Sequence, residues 1–238
     1  MATGWLHAML EHKSRNEDLL VTKLRLIGDI HGAFDIWKDE LIKGSAMSVQ
    51  VGDFGIGFPD VDVHPDGTMY KTKSQYPKDV DPLNHRFIRG NHDDPNLCLY
   101  QPGYIDDGHT EIIGTTRIMY IGGALSIDKA YRTQGIDFWE NEELSYQRLE
   151  QMIDIYTSYK PNLVVTHECP ESVSNHVLGP NSTKFNIHSR TRNAFESMFN
   201  QYQPDAWYFG HWHKSYQETR KGTYFRCLNI NEWEDVNL

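Results

Sequence analysis

Apolar residues fall along this chain in short runs, each closed by a glycine, an acid or a histidine. Leu24-Arg25-Leu26-Ile27 stops at Gly28-Asp29-Ile30-His31-Gly32, and Ser48-Val49-Gln50-Val51 stops at Gly52-Asp53. His85-Arg86-Phe87-Ile88-Arg89 stops at Gly90-Asn91-His92-Asp93. Asn162-Leu163-Val164-Val165-Thr166 stops at His167, and Ala206-Trp207-Tyr208-Phe209 stops at Gly210-His211-Trp212-His213. Short runs of this kind, rich in β-branched and aromatic residues, predict buried strands. A strand pair is predicted at 112–113 and 117–122 across Gly114-Thr115-Thr116, and a last strand over 223–230, after which the acidic tail runs out.

Elsewhere the apolar residues shift to helical spacing. Phe34, Trp37, Leu41 and Ile42 predict a helix over 33–43, ended by Gly44. Leu149, Met152, Ile153 and Tyr156, at i, i+3, i+4 and i+7, predict one over 141–159, ended by Pro161. Ala194, Phe195, Met198, Phe199 and Tyr202 mark another. Residues 54–84 and 170–189 carry neither period and read as long polar loops, of the length that usually borders a functional site. Trp5, Leu6, Met9 and Leu10 form a short helical stripe. Residues 1–22 are therefore expected to be an N-terminal helical extension, and 23–238 a single domain.

Composition narrows this picture without redrawing it. At 238 residues, 39 % hydrophobic and 24 % charged, the chain can bury a core without disulfides. No apolar run approaches the roughly 18–20 residues that span a bilayer, and Glu11, Lys13 and Arg15 interrupt any signal-peptide pattern. Without such a run no membrane partner is expected, and Cys98, Cys169 and Cys227, far apart and odd in number, predict free thiols in a reducing cytoplasm. The net charge of −10 disfavours long nucleic acids, whose binding needs a basic surface. Oligomeric state is open, since Trp5 and Trp233 suit an interface or the chain's own core equally.

The chemistry lies in the five strand ends taken together. A lone Asp at a strand end is usually a turn or cap residue, and a lone His a satisfied polar group. Five such ends on one rim, where loops of α/β proteins collect functional groups, are a different matter. The set Asp29, His31, Asp53, Asn91, His167, His211 and His213 mixes oxygen and imidazole donors with no thiolate. That suits Mn, Fe, Zn or Ni over a structural zinc site. It exceeds what one ion needs, so a carboxylate shared by two divalent ions is the natural arrangement. Two close cations clamp a phosphoryl oxygen and make hydroxide available near neutral pH. His92, directly after Asn91, is placed to protonate a leaving oxygen, with Asp93 or Asp94 orienting its ring. Arg89 and Arg132 are candidate phosphate-binding residues, a core or ion-pair role being the alternative for Arg89. Trp139, Tyr131 and Trp212 are candidates to stack on a base, and His188, Arg190 and Arg192 read as a solvated helix start.

In this order the motifs Gly28-Asp29-Ile30-His31, Gly52-Asp53, Gly90-Asn91-His92-Asp93, Thr166-His167 and Gly210-His211-Trp212-His213 resemble those of the calcineurin-like metallophosphoesterase family. The stretch Gly122-Gly123-Ala124-Leu125-Ser126-Ile127-Asp128 resembles small phage- and bacterial-type members. The resemblance implies an α/β fold, a four-layer αββα sandwich of two mixed β-sheets, with the active site at the C-terminal ends of the strands. It implies Asp29, His31 and His213 on one metal, Asn91, His167 and His211 on the other, Asp53 bridging, and His92 as proton donor. The two ions would be Mn²⁺ first, with Fe, Zn, Ni or Mg as alternatives. The implied reaction is attack of a metal-bridging hydroxide on a small phosphorylated or nucleotide-like substrate. A nuclease or phosphodiesterase, a Ser/Thr protein phosphatase and a non-catalytic module on the same fold are the competing readings. Gly52-Asp53-Phe54-Gly55-Ile56-Gly57 lacks the arginine that follows this motif in the protein phosphatases, which counts against that reading.

Overall fold

The computed structural model describes residues 22–63, 69–179 and 188–238. The expected helical extension lies outside these residues but for Thr22, as does Trp5. Strands β1 (Lys23–Ile27), β2 (Ser48–Gln50) and β5 (His85–Phe87) run parallel, and β12 (Trp233–Asn237) closes their sheet antiparallel to β1. A second sheet has the order β10-β11-β9-β8-β7-β6. Its central strands β7 (Thr116–Ile121), β8 (Leu163–Thr166), β9 (Ala206–Phe209) and β11 (Thr223–Cys227) are parallel. Its edges β6 (Thr110–Ile113) and β10 (Tyr216–Arg220) are antiparallel. Both sheets are thus mixed, as expected.

Burial on both faces explains the continuous apolar runs of β8 and β9, and it extends to Arg25, Ser48 and Gln50, the polar residues that interrupt the runs of β1 and β2. Between the sheets, Leu24, Leu26 and Val49 meet Ile118, Tyr120, Leu163 and Val165. The outer face of the larger sheet offers Met119, Val164, Trp207 and Phe225. Helices α3 (Tyr146–Tyr159), α4 (Glu171–Leu178) and α5 (Arg190–Gln201) cover it with Met152, Val173, Phe195 and Phe199. The outer face of the smaller sheet packs Ile27 and Phe87 against Trp37, Phe54 and Cys98. Short helices α1 (Phe34–Ile36), which continues into a π-helical turn over Trp37–Leu41, and α2 (Pro95–Cys98) lie on that side. The result is the four-layer αββα sandwich.

Several stretches differ from their sequence reading, each for a local reason. The helix expected from 141 starts at Tyr146, because the carbonyls of Asn141 and Glu142 accept from Arg89 Nη1 at 3.3 and 2.8 Å. Ser145 then caps it, accepting from the Arg148 amide. The expected loop 54–84 contains the hairpin β3 (Pro59–Val63) and β4 (Met69–Lys73), and the expected loop 170–189 contains α4. The acidic tail is strand β12. Arg25 grips Asp235 with two hydrogen bonds of 2.7 and 3.0 Å and lies 3.7 Å from the centre of the Trp233 ring. That fork-to-carboxylate pairing seats Trp233 on its own chain and leaves charge along an exposed edge, which discourages strand addition. Cys98, Cys169 and Cys227 are free and buried, and burial raises all three thiols. Among the described residues no helix is long and apolar enough to cross a membrane.

Candidate metal centre

Strands β1, β2, β5, β8 and β9 deliver their C-terminal ends to one rim spanning both sheets. Immediately past them the backbone leaves the extended region. His31, Asp53, His211 and His213 have φ of +45°, +56°, +68° and +49°. This left-handed conformation is costly for residues with side chains and concentrates at functional sites. It is held by close packing of neighbouring turns: a Cβ on Gly90 would collide with the Asp53 carboxylate and amide.

Two groups of donors result. In the first, Asp29 is fully buried, and its Oδ2 lies 3.2 Å from His213 Nε2 and 3.9 Å from His31 Nε2. The two histidines face each other Nε2 to Nε2 at 2.9 Å. In the second, Asn91 Oδ1 lies 3.0 Å from His167 Nε2 and 2.9 Å from His211 Nδ1. Asp53 stands between the groups, with Oδ1 3.4 Å from His167 Nε2 and Oδ2 4.0 Å from His31 Nε2.

The donor chemistry fits a pair of cations. The ion-pair partners of Asp29 and Asp53 among the described residues are histidines, with no lysine or arginine within 4.0 Å of either carboxylate. His167 Nδ1 donates to the Val51 carbonyl at 2.9 Å, which directs the other ring nitrogen, Nε2, into the site. That nitrogen faces oxygen atoms of Asn91 and Asp53, so something positive belongs between them. A proton can serve: although burial opposes it, the charge of Asp53 carries the His167 imidazole up to about 9. Burial pushes the Asp53 carboxyl upward, but His167 and His92 outweigh it and hold it well below the ordinary carboxylate range. His211, by contrast, is driven well down by burial and by neighbouring His167. A divalent ion would replace the proton and satisfy all of these lone pairs at once.

His92 sits beside this cluster, its amide donating to Asp53 Oδ1 at 2.9 Å and its Nε2 3.8 Å from Asp53 Oδ2. Its carbonyl accepts from Trp139 Nε1 at 3.0 Å, which commits that indole to the core. Its orienting partner is not the expected one. Arg132 Nη1 lies 2.8 Å from His92 Nδ1, and a guanidinium only donates, so Nδ1 accepts and Nε2 carries the proton toward the site. Burial lowers the His92 imidazole, and Arg132 adds to that effect against the pull of Asp53. Asp128 holds Arg132 by two hydrogen bonds of 2.7 and 2.6 Å.

Asp93 does not touch the His92 ring. Its oxygens accept from the amides of Phe54, Gly55, Ile56 and Gly90 at 2.6–3.1 Å, latching the Asp53 loop to the Asn91 loop. Asp94 caps α2 and pairs with Lys73 at 3.0 Å. Arg89 is buried, lines neither cavity beside His92 and pairs with Asp107 at 2.9 Å, the core and ion-pair arrangement that is its alternative reading. Arg192, expected to be solvated, is buried and pairs with Glu171 at 3.1 Å. Glu168 was missed. Fully buried, it accepts from Trp212 Nε1 at 3.0 Å, lies 3.7 Å from His211 Nε2, and is pushed up by burial to about 7. The one signal for it in the sequence is its place directly after His167.

A cavity of about 420 Å³ opens over His92, Arg132, His211 and His213, walled by Ile127, Leu178 and Trp212. A second of about 200 Å³ flanks His31 and His92 on the side of Phe58 and Ile136.

A comparison with curated proteins returns no match. Among solved structures the chain is similar to a candidate 5′-nucleotidase from Staphylococcus aureus, at 13 % identity and a TM-score of 0.49, over 90 % of this chain and 50 % of that one. It thus spans half the length of that protein. It is also similar to a phosphopantetheinyl hydrolase from Mycobacterium tuberculosis, at 11 % identity and a TM-score of 0.41, over 89 % of this chain and 92 % of that one. An archaeal phosphodiesterase matches at 12 % identity and a TM-score of 0.34, over 91 % of this chain and 99 % of the other. The family model for calcineurin-like phosphoesterases matches residues 22–215, a span that contains all five strand-end motifs. The chain belongs to the calcineurin-like phosphoesterase family, whose members are metal-dependent phosphoric ester hydrolases.

Proposed function

We propose that residues 23–238 act as one catalytic unit, in the cytoplasm, that hydrolyses a small phosphate ester, with a nucleotide-like leaving group the best fit. The observation that carries this reading is the convergence of seven donor side chains from five strand ends, with Asp53 between the two groups and His92 beside it. Asp29, His31 and His213 would hold one divalent ion, Asn91, His167 and His211 the other, and Asp53 both, with Mn²⁺ first among the ions this donor set accepts. Bound there, the ions supply Lewis-acid charge to the phosphoryl oxygens and lower the pKa of water.

The chain's own groups do the rest. His92 Nε2–H faces the site and gives its proton to the leaving oxygen. Arg132 sets the His92 tautomer, and the Nη2 N–H it does not spend on Asp128 is the one to meet a phosphoryl oxygen. Ile127, Leu178 and Trp212 shield one side of the cavity from water and receive the leaving group. The cavity volume of about 420 Å³ lies within the range of small-ligand pockets, roughly 300–1,000 Å³. The net charge of −10 argues against long nucleic acids as substrates.

A substrate panel tests the proposal: aryl phosphate monoesters and diesters, nucleoside monophosphates, cyclic nucleotides, phosphopeptides and RNA, each with Mn²⁺ and Mg²⁺. The expected result is preference for a small ester over RNA and phosphopeptide. Arg132→Ala is expected to raise KM for that ester by about 10-fold or more, the worth of one charged hydrogen bond of about 1.5–3 kcal/mol. Efficient turnover of phosphopeptides or RNA over every small ester overturns the proposal.

A further inference from the structure

The stretch Gly122-Gly123-Ala124-Leu125-Ser126-Ile127-Asp128 supplies no donor to the metal centre, yet it is packed against it. Asn91 Nδ2 donates to Ser126 Oγ at 2.9 Å. Ser126 Oγ in turn donates to Glu142 Oε2 at 2.6 Å, and the Ser126 amide donates to Glu142 Oε1 at 3.1 Å. All three residues are buried. We infer that Ser126 and Glu142 are positioning residues that fix which end of the Asn91 carboxamide faces the metal centre. The inference rests on the two-ion reading above.

The argument is one of hydrogen-bond direction. A carboxylate only accepts. Glu142 therefore takes the single hydroxyl proton of Ser126 and leaves its oxygen as an acceptor toward Asn91. The Asn91 amide must then turn its NH₂ to Ser126 and its carbonyl oxygen to His167 and His211, as observed. Without Glu142 the Ser126 hydroxyl can rotate and donate to the Asn91 oxygen. The amide would then flip and present two N–H donors where a cation needs a lone pair.

The same chain explains the double glycine and Arg89. Arg89 Nη1 holds the Glu142 carbonyl at 2.8 Å, and its Nε is fixed by Asp107 at 2.9 Å. Asp107 also accepts from the Gly122 amide at 2.6 Å, and the Gly123 amide donates to the Arg89 carbonyl at 2.9 Å. Gly123 has φ +79°, and a Cβ there would run into the Glu142 carbonyl and approach the Arg89 guanidinium to 2.9 Å. Only glycine lets Ser126 and Glu142 close on Asn91 together.

The test is a Mn²⁺ titration of the full chain by calorimetry, with electron paramagnetic resonance reporting the spin-coupled ion pair. Wild type is expected to bind two ions. Ser126→Ala and Glu142→Gln are expected to weaken one of them by about 10–100-fold, as loss of an outer partner of a metal ligand typically does, and to leave the other unchanged. The coupled signal should give way to that of single ions at two equivalents, while the metal-free variants still unfold cooperatively, at a melting temperature lowered only by the lost buried hydrogen bonds. Two ions at wild-type affinity in both variants, or an equal loss at both sites, overturns the inference while the two-ion reading stands. A wild-type chain that takes up fewer than two ions overturns both.

Discussion

With asparagine in place of Asp53, turnover is expected to fall well beyond about 100-fold, the upper range for loss of a mere outer partner. The substitution keeps the shape of the side chain and removes its charge. Asp53 is the carboxylate that faces both donor groups, with Oδ1 toward His167 and Oδ2 toward His31. It is also what holds the buried His167 imidazole up at about 9, since burial alone pulls the other way. In metal-free Asp53→Asn the His167 resonance is therefore expected to lose its high titration and to stay neutral across the physiological range. Steady-state rates and an NMR titration check the two consequences separately. Near-wild-type turnover, with the His167 titration unmoved, would remove Asp53 from the centre of the site.

His92→Ala is expected to lower kcat by about 10²–10⁴-fold, the usual contribution of a positioned acid or base, with metal content unchanged. The separation follows from geometry. The His92 ring is held by Arg132 through Nδ1, its amide donates to Asp53 at 2.9 Å, and its Nε2 stands 3.8 Å from Asp53 Oδ2, outside hydrogen-bond distance of that proposed ligand. The loss should depend on the leaving group. A nitrophenyl ester, which departs without a proton, should lose least, and a phenyl or alkyl ester most. A uniform loss across leaving groups, or a loss of bound metal, would mean that His92 acts as a ligand or a packing residue instead.

What the sequence made legible was the centre of the molecule. Five apolar runs ending on Asp, Asn or His became parallel strands whose ends meet at one rim, because buried parallel strands carry both a clear apolar signature and a fixed direction. Exposed or half-exposed elements were less readable. Strand β12, Trp-Glu-Asp-Val-Asn, sets two acids side by side and reads as a tail, β10 has Tyr216 as its one apolar residue, and the β3–β4 hairpin spreads its few apolar residues through a stretch rich in Pro, Gly and Asp. Among site residues, the near neighbours of each motif could be read only by type. Arg89 and Asp93 both border Asn91 in sequence, yet one pairs with Asp107 and the other latches two loops. Arg132, Ser126 and Glu142 lie 35–51 residues beyond Asn91, and only the folded chain brings them to His92 and Asn91.

On the two-ion reading, hydrolysis needs both ions on this donor set. Metal content per chain decides it most directly, measured on purified wild-type protein after Mn²⁺ loading, after chelation and at each step of readdition, with hydrolysis of the preferred ester followed in parallel. On that reading two ions per chain, no activity after chelation, and recovery that completes only with the second ion are expected. Full activity with one ion bound, or with none, would contradict it.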